Sequence, residues 1–230
     1  MIRGHFSFHL RIGMASWMRR SALLAVVACG ALPGTAVLAQ GTPLTGNPER
    51  GKAISYTCLG CHGIAGYRNA YPDYSVPELR GQHAEYLISA LTEYKSGERS
   101  HTTMHAQASE LSAQDMADIA VFFAGSELKA SETPASTHKP PAAAAVCVAC
   151  HGADGVGVIP QYPSIAGQHP DYIVQALKEY KSGARKNPIM AGMAAQVKED
   201  DMWVIADYYS KITPGLKTLP RPFAGITAER

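Results

Sequence analysis

Gly81-Gln82-His83-Ala84-Glu85-Tyr86-Leu87-Ile88-Ser89-Ala90-Leu91-Thr92-Glu93-Tyr94-Lys95-Ser96-Gly97 returns as Gly167-Gln168-His169-Pro170-Asp171-Tyr172-Ile173-Val174-Gln175-Ala176-Leu177-Lys178-Glu179-Tyr180-Lys181-Ser182-Gly183, an offset of 86 residues. The register runs without a gap from Gly81 to Thr213. Of the 47 paired positions 18 are identical, far beyond chance, so one structural unit is written twice. Each copy carries its own helix signals. In the first, Tyr86, Leu87, Ala90, Leu91 and Tyr94 fall on one face of a helix from His83 to Ser96, and Gly97 supplies its stop. Ser112 with Asp115 reads as a capping box opening a helix over residues 114–124, with Met116, Ile119, Ala120 and Phe123 in one stripe. The second copy repeats both helices and ends at Tyr208-Tyr209. Upstream, Asn47-Pro48 is an N-cap followed by a first-turn proline. No segment alternates as a strand does, so the expected fold is all-α.

A second matched pair lies further upstream. Cys58-Leu59-Gly60-Cys61-His62 corresponds to Cys147-Val148-Ala149-Cys150-His151 at an offset of 89, so the second copy has three fewer residues between this motif and Gly-Gln-His. Between the copies, residues 126–145 are rich in Ser, Thr, Pro and Ala and include Pro134, Pro140 and Pro141, the composition of an extended linker. The expected organisation is therefore a domain over residues 40–127, a linker over 128–145, and a domain with a tail over 146–230. Domains of under about 90 residues are marginal on apolar burial alone and usually contain a metal, a staple or a large cofactor.

Cys-x-x-Cys-His is the attachment signal for c-type haem. The two thiols add to the vinyl groups as thioethers, and the adjacent histidine reaches the iron from the same helical turn. Zinc would require four ligands per site, and a thioredoxin-type dithiol would require a βαβ context. Two copies in an all-helical tandem favour two covalently bound haem c groups, held by Cys58 and Cys61 and by Cys147 and Cys150.

A closed electron-transfer iron needs two axial ligands. His62 and His151 are the proximal candidates. The distal ligand should precede the last helix of each unit. There the second copy offers Met190 and Met193 and the first offers Met104, which pairs with Met190, while Gln107 pairs with Met193. The repeat thus selects Met104 and Met190, leaving Met193, Met116 and Met202 as core or rim residues. His101 and His105 flank Met104 and are the alternatives to it. Their partners are Asn187 and Ala191, which favours a surface role. His83 and His169 open helices and read as structural or solvent-facing. Pro77 and Pro163 pair downstream of the motifs, and their carbonyls are candidates to accept the proximal Nδ1–H.

The first 39 residues read as a cleaved signal peptide, not as fold. Arg3, Arg11, Arg19 and Arg20 precede a short apolar run over residues 21–32, a Pro33-Gly34 break and the small-residue site Val37-Leu38-Ala39. The run is too short to span a bilayer. Translation from Met14 or Met18 would shorten the long basic segment. Val26-Val27-Ala28-Cys29 resembles a lipoprotein box, so the alternative to a freely exported protein is one tethered to the membrane through Cys29. Of 21 Lys and Arg against 19 Asp and Glu, four basic residues lie in this segment, and the remainder is slightly acidic, which excludes a nucleic-acid footprint. An apolar fraction of 46% excludes wholesale disorder. Charge is uneven: residues 40–127 carry 6 basic and 10 acidic side chains, residues 128–230 carry 11 and 9, which predicts that the halves dock different partners by electrostatic steering.

With its paired Cys-x-x-Cys-His motifs, paired Gly-Gln-His, Tyr and Lys-Ser-Gly stretches, paired Met104 and Met190, and final helices ending in two aromatics, the chain resembles the cytochrome c4 family over nearly all of the expected mature sequence. The resemblance implies two tandem class I cytochrome c domains packed about a pseudo-twofold axis, with haem propionates near the interface and His/Met ligation in both. It also implies electron transfer toward a terminal oxidase. The chain departs from the pattern at Ser100-His101-Thr102-Thr103, which replaces the approach Asn187-Pro188-Ile189. The expected function is a periplasmic carrier, monomeric or in a heteromer, taking single electrons from a donor such as a quinol-oxidising complex. The alternative is the cytochrome subunit of a periplasmic dehydrogenase of flavoprotein sulfide or quinoprotein type, hinted at by the apolar tail residues Leu216, Leu219, Phe223 and Ile226. A haem peroxidase would require one iron to lose its methionine, with Met104 the place to look.

Overall fold

The computed structural model describes residues 45–125, 127–129 and 139–219, and among them every regular element is helical, with three isolated backbone bridges as the only extended pairings. The leader with Cys29, residues 130–138 of the linker, and Phe223 and Ile226 lie outside the described residues. The first half contains α1 (Pro48–Ile54), α2 (Leu59–His62), α3 (Ala84–Ser96), α4 (Thr102–Ser109) and α5 (Ala113–Ala124). A 3-10 turn (Ala142–Ala144) then leads into α6 (Val148–His151), α7 (Pro170–Ser182), α8 (Pro188–Gln196) and α9 (Glu199–Ser210). The bounds of α3 and α7, and of α5 and α9, coincide at the 86-residue offset, and those of α2 and α6 at 89.

The local causes are those the residues announce. Asn47 caps α1 through the Arg50 amide, and Ser112 and Asp115 form a reciprocal capping box at α5. Gly97 and Gly183 end α3 and α7 in the left-handed region, at φ 77° and 80°, where a Cβ would be strained. The neighbouring lysines also serve structure. Lys95 Nζ donates to the Leu111 carbonyl (2.6 Å) and Lys181 Nζ to the Val197 carbonyl (2.8 Å), tying each helix end to the segment that opens the last helix.

In the first half α5 packs on α1 and α3, and α3 on α4. In the second, α7 packs on α8 and α9, and α9 on the 3-10 turn. The crossing of α1 and α5 is close because Gly51 has no side chain: a Cβ there would stand 2.0 Å from the Asp118 carbonyl oxygen. Met116, Ile119, Ala120 and Phe123 are buried, as their stripe predicts, and so are Met202, Ile205, Ala206 and Tyr209. Ala144 lies in the second core. The second domain's packing thus begins inside the stretch read as linker, because a run of alanines is a helix former wherever the prolines release it.

Ser55 is fully buried and its hydroxyl has no hydrogen-bond partner, whereas the residue 89 positions on is Ala144, equally buried. Ser55→Ala is therefore expected to stabilise the protein by about 1 kcal/mol, since an unsatisfied buried hydroxyl costs about that much. Denaturant midpoints test it, and an unchanged or lower midpoint would mean that the hydroxyl is partnered in solution.

The α1–α5 contact is also held by charge. Buried Asp118 accepts from the Asn47 amide (2.7 Å), the Gln114 side chain (2.7 Å) and Arg50, and Arg50 also pairs with Asp115. The Ser112 hydroxyl and amide, then Arg50, push the Asp115 carboxyl down to about 2; the Asn47 amide and Arg50 hold Asp118 below its usual range. A depressed folded-state value gives stability that is complete above the unfolded value of about 4 and is lost as pH falls toward the folded one. Amide protection of α1 is expected to hold from neutrality to about pH 4 and to fall between there and about pH 2. Hydrogen exchange in Asp118→Asn should show the loss already at neutral pH.

The two halves meet through equivalent bonds, as two copies about a twofold axis must. The Ser100 amide donates to the Ala184 carbonyl (2.9 Å) and the Lys186 amide to the Glu98 carbonyl (2.8 Å), residues that exchange under the 86-residue offset. Beyond α9 the chain returns to the first half. Arg80 and Lys217 exchange backbone bonds (3.0 and 3.1 Å), Leu216 is buried, and Leu219 packs on the first core.

Candidate haem sites

Helices α2 and α6 are single turns, closed by bonds from the His62 amide to the Cys58 carbonyl and from the His151 amide to the Cys147 carbonyl (2.9 Å each). Cysteines three apart on one turn face the same side, and the histidine follows directly. None of the four cysteines forms a disulfide. Among the described residues no three His, Cys, Asp or Glu side chains converge as a zinc-type site requires.

Each motif histidine is oriented by a proline carbonyl: His62 Nδ1 stands 3.0 Å from the Pro77 oxygen and His151 Nδ1 2.8 Å from the Pro163 oxygen. A carbonyl only accepts, so Nδ1 carries the proton and Nε2 keeps its lone pair. Burial holds both imidazoles below their usual pKa, against the opposing pull of the carbonyls, so the rings are neutral, as metal ligation demands. Burial also pushes the Cys58 and Cys147 thiols up.

In the first half Cys58, Cys61 and His62 line a cleft whose walls include Leu87, Ile119 and Phe123 and whose lining includes Met104. Two thiols, a neutral imidazole and a thioether share one mostly apolar cleft, a donor set that fits a covalently attached haem. In the second half Cys147 and Met190 pack against the same core, beside buried His151. Met193 is 38% exposed. Met104 and Met190 each occupy the third position of a helix whose N-cap side chain accepts their amide: His101 Nδ1 at 3.2 Å for Met104, Asn187 Oδ1 at 3.0 Å for Met190. Tyr209 and Tyr208 donate to the Gly152 and Ala153 carbonyls (3.2 and 2.6 Å), which fixes the loop after the second motif.

One histidine reading changes. His101 is not a surface residue; it lines the first cleft and caps α4 as Asn187 caps α8, because its Nδ1 offers the acceptor that asparagine offers through oxygen. His105 is exposed, with Nδ1 2.8 Å from the Tyr94 carbonyl. His83 is buried, with Nε2 3.2 Å from the Gly157 carbonyl of the other half, and His169 Nε2 lies 3.2 Å from Glu78. The sequence reading missed the glutamines between: Gln82 bonds Ser164 and Gln168 bonds Glu78 across the interface. Their signal was polar identity in both copies at positions off the apolar face.

The cytochrome c family model matches residues 48–126 and again 142–212. Cytochrome c4 of Thiocapsa roseopersicina is 41% identical over 182 residues, covering 72% of this chain and 93% of the relative. A thiosulfate dehydrogenase electron acceptor of Stutzerimonas stutzeri is 30% identical over 176 residues, covering 67% and 78%. The crystal structure of reduced recombinant cytochrome c4 from Pseudomonas stutzeri superposes with a TM-score of 0.59 at 28% identity, covering 75% of this chain and all of that one.

Fold and site together define a protein of two tandem class I cytochrome c domains that transfers electrons through two covalently bound haem c groups, attached at Cys58 and Cys61 and at Cys147 and Cys150. The chain belongs to the cytochrome c4 family.

Proposed function

We propose that His62 with Met104 and His151 with Met190 are the axial pairs, and that the protein is an exported carrier moving single electrons between a periplasmic donor, such as a quinol-oxidising complex, and a terminal oxidase or other acceptor. The observation that carries this reading is the duplication of the whole arrangement: a proximal histidine braced by a proline carbonyl, and a methionine at the third position of a capped helix. Haem c supplies a one-electron Fe(III)/Fe(II) couple, which a thioether ligand biases toward a high potential. The residues do the rest. The carbonyls orient the imidazoles, the apolar walls exclude water, and the capped helices hold each sulfur in place. Two ligated irons leave no position for a substrate, which argues against a peroxidase.

A second reading is favoured by the relatives named for thiosulfate dehydrogenase: the chain as electron acceptor of a periplasmic dehydrogenase. Of the tail's apolar residues, Leu216 and Leu219 pack within this chain and so lend no support to a permanent flavoprotein or quinoprotein partner. Gentle isolation from cell envelopes separates the readings. A soluble, partner-free protein supports the carrier, and stoichiometric recovery with a dehydrogenase replaces it with the second reading. Recovery alone but only in detergent would point to a lipid on Cys29. Rates with isolated donor and acceptor should fall steeply as salt rises if the unevenly charged halves steer their partners; flat rates would remove the steering.

A further inference from the structure

The carbonyl that braces each proximal histidine belongs to a peptide group whose N–H points into the other domain. The Pro163 oxygen faces His151 Nδ1 at 2.8 Å, and the N–H of the same peptide, on Ser164, donates to Gln82 Oε1 at 2.8 Å. The Pro77 oxygen faces His62 Nδ1 at 3.0 Å, and the N–H of that peptide, on Glu78, donates to Gln168 Oε1 at 3.0 Å. Each glutamine also donates from Nε2 to the next carbonyl, Ser164 at 2.9 Å and Glu78 at 3.0 Å, so the segment is gripped at two points. Both glutamines are buried, and each is oriented by the amide of the histidine that follows it, His83 at 3.1 Å and His169 at 3.0 Å.

We propose that Gln82 and Gln168 are positioning residues that act crosswise: Gln82, in the first domain, governs the proximal histidine of the second haem, and Gln168 that of the first. An acceptor on a peptide N–H polarises the peptide and makes its carbonyl a stronger acceptor, because linked hydrogen bonds reinforce one another. The stronger carbonyl draws the Nδ1 proton further, makes the imidazole a better donor and favours the oxidised iron. Domain docking is thereby part of the environment of both irons, and Gln168 acts on the first haem's histidine without itself lining that cleft. The local supports of the two segments differ: the Ser164 hydroxyl accepts from the Gly157 amide (3.3 Å), while the Glu78 carboxylate accepts from Thr218 (2.8 Å) and faces His169. The clamp is common to both and the supports are not, so a common effect isolates the clamp.

This inference rests on the proximal ligation proposed above, and one experiment separates the two. The holoprotein is labelled with 15N-histidine, the ring resonances are assigned by residue, and Nδ1–H exchange with solvent and the redox titration of each ring are followed. If the His62 and His151 rings in the unaltered protein do not respond to iron oxidation state, the ligation reading fails. With that control passed, Gln82→Met should speed Nδ1–H exchange at His151 by about threefold to tenfold and move the second haem's midpoint upward, leaving His62 near its original behaviour. Gln168→Met should do the converse. Each variant affecting its own domain's haem, or neither haem, overturns the proposal. Equal shifts at both haems in both variants also overturn it, because the glutamines would then only hold the domains together.

Discussion

Reduced Met190→Ala protein is expected to bind one carbon monoxide per molecule, at the second haem, while Met193→Ala binds none. Carbon monoxide requires an open position on ferrous iron, so it reports directly on loss of the distal ligand. The two methionines are only three residues apart on α8, yet their surroundings differ. Met190 packs on the second core with Cys147 and has its amide fixed by Asn187, whereas Met193 stands 38% exposed and corresponds to Gln107 in the first domain. Met104→Ala should open the first haem in the same way, and the double variant both. His101 makes the first site the more informative one. It lies in the cleft beside Met104, but its Nδ1 accepts the Met104 amide as the cap of α4, and taking the iron would require that cap to break. If Met104→Ala stayed closed to carbon monoxide while Met104→Ala with His101→Asn opened, the histidine would be shown to replace the lost sulfur. A Met193→Ala protein that bound the gas would reverse the assignment.

That the candidate ligands were legible from sequence has a physical cause. A covalent cofactor leaves thiols at fixed spacing, a helix leaves its caps and its 3.6-residue stripe, and duplication lets each copy inform the other: Gln107, standing where the counterpart of Met193 should, favours Met190. What stayed hidden depends on contacts between residues about 80 to 90 positions apart. Nothing local distinguishes Gln82 as an interface residue from a glutamine facing water, although its identity in both copies was visible. His101 was misread for a related reason. Histidine is not among the usual capping residues, so a capping role shows only once its Nδ1 is seen 3.2 Å from the Met104 amide. Arg99 and Arg185 are a further identical pair at the 86-residue offset, and long charged side chains are seldom fully buried unless paired. In the structure each is only 3% exposed, at the seam where the two copies meet.

That seam carries the other large expected effect. Arg99→Met should destabilise the protein by about 3–5 kcal/mol, because it leaves a carboxylate buried without its counter-charge. The Arg99 guanidinium grips one oxygen of Glu93 from Nε (3.0 Å) and Nη2 (2.7 Å) and lies over the rings of Tyr94 (5.0 Å) and Tyr86 (5.7 Å). Glu93 is itself only 17% exposed. Its backbone carbonyl takes the Arg99 amide (3.1 Å), so the turn after α3 and the ion pair are parts of one closure, which presents Glu98 and Ser100 to the second domain. Arg99→Lys should recover little of the loss, since an ammonium can neither fork onto the carboxylate nor stack as a plane on tyrosine. Adding Glu93→Gln to Arg99→Met should recover a large part of it, because the main penalty is the stranded charge, not the missing attraction. Chemical denaturation of the two single variants and the double variant gives the coupling directly. Strictly additive losses would mean that water reaches Glu93 in solution and that the arginine contributes through packing alone. A double variant close to the parent would instead show that the buried pair secures the geometry of the seam more than its stability.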